Sequence, residues 1–218
     1  TQDRLRVADE TLYMPLIEAL DAAGRGPNKV TANDFGLYLY ALHAPERNAE
    51  LRASGSTDPN PSGMSDARAS SILDQFALDG KLYDLEGLSV LARNIIDDVT
   101  RVRVEGGLLS EGVTSNYEHY VTLTGPEADL DPGNILEGMS GPRSPKGFSI
   151  SGKEDRSATG RSSEADAENI IPAIIAQHSN SIIRAEHNEV ALAAARLTQE
   201  TQDMGFGKIL STAPTRRV

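Results

Sequence analysis

One apolar stripe constrains the fold of this 218-residue chain more than any other feature. Between residues 81 and 104, apolar side chains recur at intervals of three and four, the repeat that places them on one face of an α-helix. The stripe consists of Leu82, Leu85, Leu88, Leu91, Ile95, Ile96, Val99 and Val102. A helix with so continuous an apolar face has to bury it against other elements. The sequence therefore predicts a protein organised around a long helix at 81–104.

The composition favours helices packed on helices. The chain has no Trp and only 5% aromatic residues, so its core has to be built from Leu, Ile, Val and Ala. We predict a mainly α fold of about five long helices, elongated or bundled, with at most a short extended segment near 117–125. The helices at 81–104 and 164–200 should be the longest and should pack on each other.

Local signals set the helix boundaries. Thr31 and Asp34 have the spacing of a capping box, Ser65 can cap the helix that follows it, and Gly80 suits the position just beyond that helix. Pro15 and Pro45 lie within helical patterns, where proline removes a hydrogen bond and crowds the preceding turn. The sequence predicts a kink or a restart at each proline.

A segment rich in Gly, Pro and Ser occupies residues 125–163. We predict a long irregular loop there, between a helical region at 1–124 and a long helix with a tail at 164–218. The three parts should form one structural unit, and both chain ends suggest a piece of a longer protein. Apolar side chains within the loop predict that it lies along the helices or a neighbouring subunit. The expected anchors are Ile135, Leu136, Phe148 and Ile150.

The net charge of -11 opposes general affinity for nucleic acid or anionic membranes. No run of about 18 apolar residues is present, so no membrane-spanning segment is expected. In an alternative interpretation, the loop at 125–163 binds phosphate through its five cations. These are Arg143, Lys146, Lys153, Arg156 and Arg161.

Catalytic and metal-binding patterns are weak. The four histidines, at positions 43, 119, 178 and 187, do not have the four-residue spacing of a helical zinc site, and the chain contains no cysteine. "GFSISGKE" (147–154) matches the glycine and lysine spacing of a phosphate loop, but Glu154 stands where a magnesium-binding Ser or Thr belongs. We therefore predict no catalytic residues, no metal and no cofactor.

Several short motifs in a fixed order resemble a region of giant polyvalent proteins of bacteriophages and related mobile elements. The similarity covers about residues 35–195, and Thr122 stands where that family tends to have Pro. The motifs are "YLYALHAPERN" (38–48), "GSTDPNPSGMS" (55–65), "YEHYVTLTG" (117–125) and "GRSSEADAENIIPAIIAQHSNSIIRAEHNEV" (160–190). The resemblance implies a helical spacer or scaffold within a very long chain that also carries separate enzymatic domains.

The resemblance also implies a location for the protein and its binding partners. Such chains are packaged in the virion and enter the host with the genome, so the expected partners are other virion proteins or copies of this chain. We further predict that two polar clusters meet between helices through charge-assisted hydrogen bonds and fix helix register. The members of this structural seam are His43, Glu46, Arg47, Asn48, Arg184, Glu186 and Asn188.

Overall fold

Six α-helices make up most of the structure, a computed structural model that describes residues 1–109 and 170–201. No strand occurs in these two ranges, which confirms the predicted mainly α fold. The helices are α1 (Gln2–Ala8), α2 (Met14–Arg25), α3 (Ala32–Ala53), α4 (Asp66–Leu78), α5 (Leu82–Glu105) and α6 (Ile170–Glu200). The predicted extended segment, the loop at 125–163 and the start of the last helix at 164 lie outside the described residues.

A π-helical turn (Asp9–Tyr13) joins α1 to α2, so residues 2–25 form one interrupted rod, here called the first helical segment. The π turn ends two residues before Pro15, which has no N–H for the carbonyl four residues earlier and whose ring crowds that carbonyl. A wider turn is one of the known ways in which a helix absorbs such a defect. The predicted interruption near Pro15 is confirmed, and its form is a π turn.

Helix α3 continues through Pro45 from Ala32 to Ala53, so the chain does not restart at Pro45, whereas a kink there stays a prediction. Residues on both sides of the proline are fully buried, among them Ala44 and Asn48. We attribute the continuity to this packing, which outweighs the hydrogen bond that proline removes. The capping box at the start of α3 is confirmed, because Thr31 and Asp34 exchange side-chain to main-chain hydrogen bonds.

Helices α3 and α4 form an antiparallel hairpin. Tyr38 near the start of α3 meets Phe76 near the end of α4, with the ring centroids 6.3 Å apart, while Asn48 bonds to the loop before α4. Ser65 accepts a hydrogen bond from the main-chain N–H of Arg68, as its predicted capping role requires. Gly80 has a φ of 71°, a left-handed conformation that glycine adopts at helix ends without steric cost.

Helices α5 and α6 are the longest, at 24 and 31 residues, and they pack against each other as predicted. Asp98 lies opposite His178, and Gly106 lies opposite Asn188, so residue numbers rise together and the two helices are parallel. The first helical segment runs antiparallel to α6, because Thr1 contacts Glu186 whereas Tyr13 contacts His178.

Leu, Ile, Val and Ala supply most of the core, together with a few buried aromatic rings. Among the fully buried side chains are Leu16, Phe35, Leu85 and Ile174, which come from four different helices. Within residues 1–109 and 170–201, none of the helices combines the length and apolar character that crossing a bilayer demands.

Candidate functional site

Three side chains from distant parts of the chain form a largely buried polar cluster. The hydroxyl oxygen of Tyr13 lies 2.6 Å from Nδ1 of His178, and Nε2 of His178 lies 2.8 Å from Oδ2 of Asp98. His178 is 0% exposed, so both ring nitrogens are satisfied inside the protein. The cluster therefore ties the first helical segment, α5 and α6 together at one point.

Local structure determines where each member points. Tyr13 is the last residue of the π turn, and its ring meets the imidazole edge to face with the centroids 5.5 Å apart. Asp98 interrupts the apolar residues of α5, and His178 takes a position on the buried face of α6 between Ile174 and Ile182. A one-residue change in the register of any of these helices would separate the three groups.

Two further residues extend the cluster at its ends. Arg101 lies one turn after Asp98 and donates from Nε to Oδ1 of Asp98 at 2.9 Å. The hydroxyl of Ser179 lies 3.1 Å from the hydroxyl of Tyr13. The result is a continuous chain of hydrogen bonds from Ser179 through Tyr13, His178 and Asp98 to the exposed Arg101.

Electrostatics define the protonation states. Burial raises the pKa of Asp98, but hydrogen bonds from Arg101 and His178 outweigh it, so the pKa of Asp98 lies below its ordinary value. Burial lowers the pKa of His178, and Asp98 only partly opposes that effect. Burial also raises the pKa of Tyr13. At neutral pH the cluster therefore contains an Asp98 carboxylate, a neutral imidazole protonated on Nε2, and a protonated Tyr13.

A carboxylate, an imidazole and a hydroxyl in series are the groups of a proton relay; here Tyr13 and His178 are buried, and Asp98 is 21% exposed. The geometry suits the alignment of three helices, since each polar atom finds its partner in only one register. In the described part of the chain, no three His, Asp or Glu side chains converge in a way that could hold a metal ion.

Comparison with protein-family models, curated proteins and solved structures returns no match for this chain.

Asn48, a predicted member of the structural seam, is 0% exposed and joins α3 to the loop before α4. Its Nδ2 donates to the main-chain oxygen of Met64 at 2.8 Å and to Oδ1 of Asp66 at 2.7 Å. Its Oδ1 accepts from the main-chain N–H of Ser62 at 2.9 Å. All three hydrogen bonds hold the turn of the α3–α4 hairpin, between the end of α3 and the start of α4.

Asn188, from the second predicted cluster, joins α6 to the end of α5. It is 3% exposed and donates from Nδ2 to the main-chain oxygen of Gly106 at 2.8 Å. Glu186 contacts Thr1 and lies 3.7 Å from Nε of Arg4, so it faces the first helical segment. Partial burial lowers the pKa of Arg184, and the positive charge of Arg103 lowers it further.

The remaining members of the first cluster lie on α3. His43 is 3% exposed and lies among the buried residues of that helix, and Arg47 forms an ion pair with Glu50 on the next turn. Glu46, one residue before Arg47, is half-buried. Direct charge-assisted hydrogen bonds between the α3 cluster and the α6 cluster stay a prediction. The described contacts of Asn48, Asn188 and Glu186 join other elements.

Sequence reasoning missed Tyr13 and Asp98 and treated His178 as one of four isolated histidines. Separations of 165 and 80 residues hide both partners of His178, and no short motif contains them. One signal was present in the sequence: His178 falls on the apolar stripe of α6, where an imidazole requires a buried partner. The predicted loop anchors (Ile135, Leu136, Phe148, Ile150) and phosphate contacts (Arg143, Lys146, Lys153, Arg156, Arg161) lie outside the described residues.

Proposed function

We propose that this chain is a non-enzymatic structural segment of a bacteriophage virion protein, engaged with other virion proteins or with copies of itself. The proposal places it in an internal or ejection assembly near the portal or tail, from which it enters the host cell with the genome. Two sources support the proposal: the order of motifs that resembles polyvalent phage proteins, and the use that the fold makes of those motifs.

The observation that carries the proposal is the role of the two motif asparagines. Asn48 ends the "YLYALHAPERN" motif and Asn188 lies in the "IIRAEHNEV" motif, and both are buried. Each binds main-chain groups at a helix boundary: Asn48 organises the loop before α4, and Asn188 binds the end of α5. Buried motif residues that bind main-chain groups at helix boundaries help to specify the fold, as expected for a structural module.

The location can be tested in purified particles of the phage or element that encodes the chain. Mass spectrometry should detect peptides of this chain in particles that have been separated from host protein by density and treated with protease. After genome release is triggered, the same peptides should leave the particle together with the DNA. Absence of the chain from intact particles would contradict the proposal.

A second candidate is an auxiliary domain that contacts nucleic acid beside an enzyme domain of the same long chain, such as a virion-packaged polymerase. The cluster of basic residues that the sequence contains between 143 and 161 favours this alternative, because Lys and Arg side chains are the groups that contact phosphate. Gel shifts at low salt separate the two functions. Tight DNA or RNA binding that is lost when Arg143, Lys146, Lys153, Arg156 and Arg161 are replaced would favour the auxiliary domain.

A further inference from the structure

We propose that the Tyr13–His178–Asp98 cluster is an acid-operated latch that holds the first helical segment against α6 at neutral pH and releases it when His178 is protonated. The latch is a property of the fold and does not depend on the proposed function. Its basis is the position of His178, whose two nitrogens contact different helices.

When the imidazole of His178 is neutral, every group in the cluster has one consistent role as hydrogen-bond donor or acceptor. Nε2–H donates to Asp98, and the bare Nδ1 accepts from the hydroxyl of Tyr13. Because the hydrogen of Tyr13 is used in that bond, the hydroxyl of Ser179 has to be the donor in the 3.1 Å contact with Tyr13. This is the closed state of the latch.

Protonation of His178 reverses the donor and acceptor roles along this series of hydrogen bonds. Nδ1 becomes a donor, so Tyr13 has to accept from it and turn its own hydrogen toward Ser179. The imidazolium also adds a second cation to one carboxylate, because Arg101 already binds Oδ1 of Asp98. The charged groups that act on His178 are Asp98 and Arg101 of α5, while Asp9 of the π turn is exposed and acts on Tyr13. Protonation therefore places a cation at a fully buried position, where Asp98 only partly offsets the loss of hydration.

The first helical segment is the element most readily released. Only three of its residues are buried, Ala8, Tyr13 and Leu16, and Tyr13 is the largest of them. Its outward face leaves Val7 and Ile17 each 44% exposed. The α3–α4 hairpin, in contrast, is tied by the three hydrogen bonds of Asn48 and does not depend on His178. Local opening should therefore precede global unfolding.

Hydrogen exchange of the full chain, followed by mass spectrometry at pH 7.5 and pH 5.0, tests the latch. After correction for the intrinsic effect of pH on exchange, the opening of residues 2–25 should increase about threefold to thirtyfold at pH 5.0. Residues 32–78 should keep their protection. His178→Gln, which stays neutral, should remove the dependence on pH. Ser179→Ala removes the acceptor that Tyr13 needs after protonation and should increase the ratio of opening between the two pH values.

Three results would overturn the latch. The first is equal opening of residues 2–25 at both pH values. The second is loss of protection in the α3–α4 hairpin to the same degree, which would mean global unfolding in acid. The third is acid-dependent opening that persists in His178→Gln. If His178→Gln fails to fold, the test is the ratio of opening between the two pH values in Ser179→Ala. A ratio equal to that of the unaltered chain also overturns the latch.

Discussion

Asn188 of α6 donates a hydrogen bond to the main-chain oxygen of Gly106, the residue that follows the last turn of α5, across 2.8 Å. Gly106 also lies directly against Ala185, one turn earlier on α6. A Cβ atom at position 106 would lie 2.6 Å from Cα of Ala185. A glycine and an alanine thus allow the two helices to approach closely enough for Asn188 to bind the end of α5.

Gly106→Ala should destabilise the protein by about 1–3 kcal/mol, because the new methyl group meets the main chain of α6 and forces the helices apart. Urea unfolding measures the change. Gly87→Ala is the matched control, since position 87 lies on the same helix with nothing within 4 Å of the added carbon. It should stabilise by about 0.5–1 kcal/mol. Equal effects of the two variants would show that α5 and α6 do not make this close contact.

Tyr13→Phe keeps the ring and removes the hydroxyl that joins His178 to Ser179. A buried ring nitrogen then loses its partner, so we expect a loss of about 1–3 kcal/mol at pH 7 by chemical denaturation. Tyr83→Phe is the control, because Tyr83 is 85% exposed and should change stability by less than about 0.5 kcal/mol. A neutral result for Tyr13→Phe would mean that the hydrogen bonds of the Tyr13 hydroxyl contribute nothing to stability.

Asn48→Ala should cost about 2–4 kcal/mol, since it breaks three hydrogen bonds and leaves buried main-chain groups at Ser62 and Met64 without that partner. Asn48→Asp keeps the shape but places a carboxylate beside Asp66 and the oxygen of Met64. It should be the more damaging variant at pH 7 and should recover part of the loss near pH 4, where the new carboxyl group is protonated. Thermal unfolding at both pH values distinguishes the two variants, and no recovery in acid would contradict the geometry.

Asp34 links the starts of α3 and α5, because its Oδ2 accepts from the N–H of Thr31 and from Nζ of Lys81, each at 2.9 Å. Burial raises the pKa of Asp34, but these hydrogen bonds outweigh it and hold the pKa below its ordinary value of 3.8. The unfolded chain therefore binds this proton first as the pH falls. The stabilising contribution is complete above pH 3.8 and is lost as the pH falls through the lower, folded-state pKa.

Asp34→Asn should accordingly cost about 1 kcal/mol at pH 7, and the difference from the unaltered chain should shrink below pH 3.8. Denaturant titrations between pH 7 and pH 2.5 measure it. Asp74→Asn, on the exposed face of α4, should change stability by less than about 0.5 kcal/mol. A difference for Asp34→Asn that stays constant down to pH 2.5 would mean that its charge does not contribute.

Local patterns predicted much of the helical framework. The stripe from Leu82 to Val102 corresponds to α5, and the capping residues Thr31 and Ser65 begin α3 and α4 as their chemistry predicts. These signals act over three or four residues, so a sequence contains them in full. The chain does not restart at Pro45, because the local backbone preference of proline is outweighed by burial of the residues on either side of it.

The candidate site could not be predicted in the same way. The partners of His178 come from residues 13 and 98, and the hydrogen bonds exist only after three helices have packed in register. Asn188 and Gly106 are 82 positions apart, so their contact could not be predicted from a short motif either. Sequence reasoning selected Asn48 and Asn188 as structural residues, and the described hydrogen bonds of each asparagine go to a nearby helix end. The contact between their two clusters stays a prediction.

The parallel direction of α5 and α6 has a consequence for the order in which the chain acquires structure. The α3–α4 hairpin needs closure over only about a dozen residues, whereas Asp98 and His178 are separated by 80. Longer closures lose more chain entropy, so the hairpin should form early and the α5–α6 contact late. At roughly 5–20 residues per second on the ribosome, His178 is added about 4–16 seconds after Asp98. During that interval the apolar face of α5 is already synthesised while the helix that covers it does not yet exist, which is the period in which a nascent chain of this kind is most exposed to misassociation.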